Sequence, residues 1–256
     1  MYDLDTRKRA LTLVAQGRSL NSVSKQTGIS RWCLRAWQQR LQPSRRCATT
    51  CERCSSPPRP PADLAAYSYL LGLYLGDGCI SALARTHMLR VACADAWPGL
   101  IAACEQAMRL VRPENKVFRV QRVGCVNVTA YSNHWPCLFP QHGPGKKHER
   151  HIALEPWQQE IVDAYPWELI RGLVHSDGCR ITNWTTRMVG GQRKRYEYPR
   201  YFFANKSADI LNLYCRTLDQ VGVEWKVTRR GTVPYNISVA RRASVELMDV
   251  HVGAKH

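Results

Sequence analysis

The chain has 256 residues, and 37 Lys and Arg against 20 Asp and Glu give it a formal net charge of +17. That length suits one large domain or two modest ones, and 45% hydrophobic residues with 8 Trp and 11 Tyr exclude a merely basic, disordered tail. The absence of a long uncharged apolar run argues against a membrane span, and the charge points to a polyanionic partner. The 11 Cys are an odd number and most sit singly in apolar surroundings, such as Cys93, Cys104 and Cys215. They read as buried thiols in a reducing cytoplasm, not as a disulfide framework. The opening Met1-Tyr2-Asp3-Leu4-Asp5 does not read as a signal peptide.

Residues 1–42 read as a compact helical unit. A first helix places Ala10, Leu11 and Val14 on one face before Gly17. Ser19 can cap a second helix that turns Leu20 and Val23 inward. Gly28-Ile29-Ser30 makes a turn, and Ser30 can cap a third helix with Leu34, Trp37 and Leu41 inward. Helix, short Gly-containing turn and basic last helix resemble a helix-turn-helix of the recombinase or transposase type. In that motif the last helix enters the major groove, which makes Arg31, Trp32, Arg35 and Gln38 the candidate base readers. The alternative is a three-helix protein-interaction module.

Residues 43–62 read as a stiff, proline-rich linker containing Ser55-Ser56-Pro57-Pro58-Arg59-Pro60-Pro61. Cys47, Cys51 and Cys54 lie within it. Zinc wants four ligands, so these three form a site only if the tertiary fold adds Cys137, His142 or His148. Otherwise they are free thiols.

Residues 63–165 form the next unit. A helix capped by Asp63 runs to Asp77, then strands cover 79–83 and 87–94, a helix 97–110, and strands 116–121 and 125–131. Short helical pieces follow, with a basic loop at Lys146-Lys147-His148 between them. Residues 166–256 repeat that order: a helix ending at Asp177, strands 180–185 and 198–204, a helix 209–221, strands 224–229 and 235–240, and a short helix 244–250. Ala94-Asp95 aligns with Ala204-Asn205, and Lys147-His148 with Lys255-His256. The repeat predicts an α+β fold, a pseudo-twofold αββαββα tandem with two curved antiparallel sheets, preceded by the small all-α unit. The second half is longer between its first two strands, at residues 187–196, where Arg187, Arg193, Lys194 and Arg195 flank a Gly190-Gly191 hinge.

The two motif helices read Leu70-Leu71-Gly72-Leu73-Tyr74-Leu75-Gly76-Asp77-Gly78 and Leu169-Ile170-Arg171-Gly172-Leu173-Val174-His175-Ser176-Asp177-Gly178. Interior helical glycine costs about 1 kcal/mol against alanine, so it wants a reason. Gly72 and Gly76 share one helix face, as do Gly172 and Ser176, and small residues on one face let two backbones approach. Packing the two helices on each other sets Asp77 beside Asp177. Two neighbouring carboxylates repel unless a cation neutralises them, and hard oxygen donors suit Mg²⁺.

Both stretches resemble the LAGLIDADG motif of homing endonucleases in its two-motif, single-chain form. The final Asp stands in both copies, and the place two before it, acidic in the family, holds Leu75 and His175. The resemblance implies Mg²⁺-dependent cleavage of double-stranded DNA, with Asp77 and Asp177 sharing metals. It implies further that a basic residue serves each site, namely Lys146 or Lys147 and Lys255. Arg90, Arg119, Arg122, Arg180, Arg200, Lys226, Arg229 and Arg230 fall on the predicted strands and would line a groove for phosphates. The expectation is a freestanding, monomeric, cytoplasmic, nucleoid-associated protein, since an intein needs terminal nucleophile and Asn chemistry. A DNA-binding transcription regulator on the same fold, or an RNA maturase, are the other readings.

Overall fold

A computed structural model describes residues 4–39, 61–230 and 233–256. These fall into two compact units, which divide after residue 52. Cys47, Cys51, Cys54 and Leu41 lie outside the described residues.

The first unit holds helices α1 (Leu4–Ala15), α2 (Leu20–Thr27) and α3 (Arg31–Gln39). Their start and stop signals act as the residue types dictate. Ser19 caps α2 by accepting from the Ser22 N–H, Gly28 ends it at φ +69°, and Ser30 Oγ accepts from the Cys33 N–H at 3.2 Å. Ala10, Val23, Ile29, Leu34 and Trp37 make a small core of their own, and Arg31, Arg35 and Gln38 are exposed.

The second unit contains two copies of one topology. In the first, α4 (Leu64–Gly76) leads to strands β1 (Gly78–Ala82) and β2 (His87–Ala94), helix α5 (Pro98–Val111), and strands β3 (Val117–Arg122) and β4 (Cys125–Tyr131). Short helices α6 (Trp135–Leu138) and α7 (Pro156–Ala164) lead to the second copy. That copy comprises α8 (Pro166–Asp177), β5 (Gly178–Val189), β6 (Gln192–Phe203), α9 (Ala208–Gln220), β7 (Lys226–Arg230), β8 (Val233–Val239) and α10 (Arg242–His251). The strand orders β1-β2-β4-β3 and β5-β6-β8-β7 are the same arrangement twice, antiparallel throughout. One continuous core holds both copies together, with α4 and α8 at its centre.

Helix α4 shows why the glycines are there. Tyr67 to Leu75 is buried on every side, as expected of a helix that is apolar all round. A methyl group on Gly72 would lie 2.6 Å from the Leu169 carbonyl oxygen and 2.8 Å from Gly172 Cα; one on Gly172 would lie 2.2 Å from the Tyr69 carbonyl oxygen. The helices therefore touch backbone to backbone. One turn later Gly76 meets the Ser176 side chain, 2.1 Å from where its own Cβ would be.

Two expectations are corrected by the sheets. Residues 187–196 do not form a loose connection: β5 and β6 pair continuously from Gly178↔Phe203 to Val189↔Gln192, and Gly190-Gly191, both at positive φ, makes the two-residue turn. The polar composition there suggested a loop, but a paired ribbon satisfies its backbone whatever its side chains. The second correction concerns the basic strand residues. Strand side chains alternate with period two, so Arg119 and Arg122 face opposite ways. Arg119 lies on the helix-covered face with Val117, in an ion pair with Glu105 of α5 at 2.6 Å. Arg180 likewise lies on the helix side opposite buried Tyr201, and Asp249 of α10 accepts from it at 2.6 and 2.8 Å. Arg90, Arg122, Arg200 and Lys226 occupy open-face positions in the register, and Arg229 and Arg230 belong to β7.

Gly172→Ala is expected to destabilise the protein by about 3 kcal/mol or more, because the methyl meets backbone that cannot yield without parting the helices. Gly76→Ala would set its methyl against Ser176 Cβ as well as Oγ, and Cβ does not move when the side chain rotates, so it too should cost about 3 kcal/mol; urea denaturation of the two variants checks both.

Candidate active site

The seam brings the two aspartates together. Asp77 caps the end of α4, where its N–H donates to the Leu73 carbonyl at 3.0 Å, and Asp177 is the final residue of α8. A methyl on Gly76 would stand 3.2 Å from Asp177 Oδ2. Glycine at 76 thus lets the neighbouring aspartate fold over the backbone. Asn205, just past β6, donates from Nδ2 to Asp177 Oδ2 at 2.6 Å, while its own Oδ1 accepts from the Ser207 N–H at 2.8 Å. That second bond fixes the carboxamide, and with it the rotamer of Asp177.

Two lysines complete the cluster. Lys147 Nζ donates to the carbonyls of Tyr74, Leu75 (3.0 Å) and Gly76 (2.7 Å), and Lys255 Nζ donates to Ser176 at 2.8 Å. Gly76 and Ser176 are matching positions of the repeat, so each lysine neutralises the negative C-terminal end of one motif helix. Lys146 instead faces exposed Glu149 at 3.5 Å. The four residues singled out in the sequence as catalytic stand together.

Their charges are mutually adjusted. Burial raises the Asp77 carboxyl above its ordinary range and the charge of Asp177 adds to that; Lys255 and Lys147 oppose it. Burial also raises Asp177, offset first by the Asn205 hydrogen bond and then by the lysines. Burial lowers Lys147 to about 8 against the pull of both carboxylates, and lowers Lys255. By solvent exposure Asp177, Lys147 and Lys255 are half-buried, while Asp77 stays open at the helix end. A cation that collects oxygen donors fits the two carboxylates; the thiols of Cys79, Cys93 and Cys179 lie near the same cluster. No group of three or more His, Cys, Asp or Glu side chains gathers anywhere among the described residues. A divalent cation is the kind of ion that a pair of carboxylates accommodates. The zinc expectation rests on Cys47, Cys51 and Cys54, which lie outside the described residues.

A cleft of about 880 Å³ opens beside Asp177, lined by Leu75, Lys147, Asn205, Lys206 and Leu211 among others. Asn205 is the contact that the sequence did not single out. Its repeat partner was taken to be Asp95, but the sheet register differs: Gly78 pairs Val91 and Val91 pairs Val128, where Gly178 pairs Phe203 and Phe203 pairs Ile237. Asn205 therefore corresponds to Cys93, which senses the charge of Asp77. An Ala-Asp/Ala-Asn match at the strand ends hid a two-residue shift.

The departures from the motif have structural roles. Leu75 is buried in the seam, and buried His175 shares a 3.0 Å hydrogen bond between its Nδ1 and the Tyr69 hydroxyl. The matching positions on the other side are Leu75 and Leu169, both buried. One side of the pseudo-twofold thus carries a Tyr–His bond where the other is hydrocarbon. Burial, then the nearby charge of Arg171, lowers His175 to about 4, with Lys255 and His256 adding in the same direction.

Fold and site together define a single-chain, pseudo-twofold αββαββα protein with a carboxylate pair and a lysine pair at the ends of its two seam helices. Such a chain is similar to LAGLIDADG proteins of known structure. The homing endonuclease I-DmoI, in a complex with DNA and Mn, shares 16% identity over 76% of this chain and 99% of that one, at a TM-score of 0.49. The LAGLIDADG meganuclease I-AabMI bound to uncleaved DNA shares 10% over 72% and 82%, at 0.46. The N-terminal LAGLIDADG domain of DUF199/WhiA shares 13% over 75% and 84%, at 0.46. No protein-family model and no curated protein matches the chain. Likenesses at this level assign neither an activity nor a ligand.

His175 ties stability to pH. A folded-state value near 4 against an ordinary 6.5 means that the unfolded chain binds the extra proton first. Stability is therefore fully present above pH about 6.5 and falls as pH drops towards about 4, by up to roughly 3 kcal/mol from this group. His175→Leu, which copies the hydrocarbon side of the seam, should flatten that part of the profile in urea titrations from pH 8 to 4.

Proposed function

We propose that this protein binds double-stranded DNA and, with Mg²⁺, hydrolyses a phosphodiester bond in each strand. The observation that carries the reading is the pairing of Asp77 with Asp177 at the ends of two packed helices, each end also holding a half-buried lysine. Asp77 and Asp177 would hold the metal, which when bound supplies a lowered water pKa and a charge for the scissile phosphate. Asn205 keeps Asp177 Oδ2 oriented. Lys147 and Lys255 keep a proton at Nζ and offset negative charge that develops on the phosphate. The open-face cations Arg90, Arg122, Arg200 and Lys226 would bind backbone phosphates, giving affinity that falls with salt. The N-terminal unit would add a helix-turn-helix contact through α3, with Arg31, Trp32, Arg35 and Gln38 nearest the bases. Both halves of the site come from one chain, so a monomer suffices.

A second reading is a DNA-binding regulator that does not cut. It is favoured by Leu75 and His175, which bury hydrocarbon and a neutral imidazole at the motif positions nearest the aspartates.

Asp77→Asn and Asp177→Asn decide between the two. Cleavage-site selection on random duplex DNA with Mg²⁺ should yield double-strand breaks with the native chain. The double variant should cut at below about one per cent of that rate while binding is retained, since each substitution removes a charge that a metal needs. Measurable duplex binding without any Mg²⁺-dependent break in the native chain would leave the regulator reading standing.

A further inference from the structure

The two halves are not equal in one respect. In the first, β1 and β2 pair over four register steps, from Gly78↔Val91 to Ala82↔His87, and β4 backs β2 from Met88 to Ala94. In the second, β5 and β6 pair over eleven steps, from Gly178↔Phe203 to Val189↔Gln192, while β8 backs only Tyr201 to Phe203. Among the described residues, the ribbon from Ile181↔Arg200 outward is two strands with no third. At about 3.3 Å per step it reaches about 23 Å farther than its counterpart. Isolated two-stranded ribbons are marginally stable in water, so a long one wants a partner.

Its composition says which. Residues 178–203 hold six Arg or Lys and a single Glu. Register places Arg187, Lys194, Tyr196, Tyr198 and Arg200 on one face, the face that the sheet leaves open. Arg200 lies over the Tyr198 ring at 4.9 Å. On the opposite face Arg195 pairs with Glu197 at 2.7 Å and lies over Trp184 at 5.0 Å. Among the described residues, Arg187, Arg193 and Lys194 have no acidic partner. Cations interleaved with tyrosines on a two-stranded ribbon match a phosphate-lined groove, and the major groove admits such a ribbon.

We propose that the β5–β6 ribbon is a DNA arm that makes the bound site asymmetric, longer on the side of the second half by about seven base pairs at about 3.4 Å each. This rests on duplex DNA being the ligand. The first half, with its short backed hairpin, contacts correspondingly less.

The test is hydroxyl-radical footprinting of the full chain on a selected duplex, with two variants. One removes residues 184–189 and 192–197, which leaves Asn183 opposite Tyr198 around the Gly190-Gly191 turn. The other, Arg187→Ser with Lys194→Ser and Tyr196→Ser, keeps the ribbon and strips its open face. Both should lose about six base pairs of protection, the six register steps the deletion removes, from one end only, with the centre and the other end unchanged. The substituted variant should also lower the slope of log affinity against log salt by about two, for the two phosphates it no longer neutralises. Unchanged footprints in both variants, or shrinkage at both ends in the substituted one, would overturn the arm while leaving DNA binding in place. A native chain that protects no duplex, or that prefers duplex RNA, would overturn the DNA reading and the arm with it.

Discussion

At the centre of this protein two helix backbones meet directly. Gly72 on one helix and Gly172 on the other leave no room for a Cβ, and everything chemical depends on that contact. Helices held apart by ordinary side chains run 8–10 Å from axis to axis. Removing the side chains at the crossing lets α4 and α8 converge, and their last residues converge with them. The glycines forgo about 1 kcal/mol each in helix propensity. The return is a position: two carboxylates meeting where two helix C-termini already concentrate negative charge. Such a place is unfavourable for anions unless cations are supplied, and Lys147 and Lys255 supply them from opposite halves of the repeat.

The repeat is symmetric where the seam needs it and asymmetric elsewhere. Gly76 and Ser176 are equivalent, and so are the two lysine contacts at their carbonyls. Leu75 and His175 are equivalent in place and different in chemistry. The single Tyr69–His175 bond gives the Tyr69 hydroxyl and His175 Nδ1 a partner in the core. Asn205 and Cys93 are equivalent by register, yet only Asn205 donates to its aspartate. The two carboxylates therefore sit in different surroundings: Asp177 is oriented by a fixed carboxamide, and Asp77 carries the larger burden of its neighbour's charge. The sheets extend the same theme, one hairpin backed along its length and the other projecting well past its third strand.

What the sequence by itself determined is the periodic part of the protein. Small residues four apart predicted the seam, because helix geometry alone puts positions i and i+4 on one face. The order of helices and strands, repeated at an offset of about one hundred residues, predicted two equal halves and hence the meeting of Asp77 with Asp177. Capping at Ser19, Asp63 and Gly28 was legible for the same reason, since those interactions span a few residues. The tertiary structure decided what depends on distant partners. Whether Arg119 and Arg180 face outward was settled by Glu105 and Asp249, carried by helices that pack on the sheets. Whether residues 187–196 form a loop or strands was settled by cross-strand pairing, which polar side chains do not forbid. That Asn205 reaches Asp177 follows from a ladder register two residues away from the apparent alignment. Local geometry repeats along a chain and can be read from it; which face meets which neighbour is fixed only when the folded elements pack.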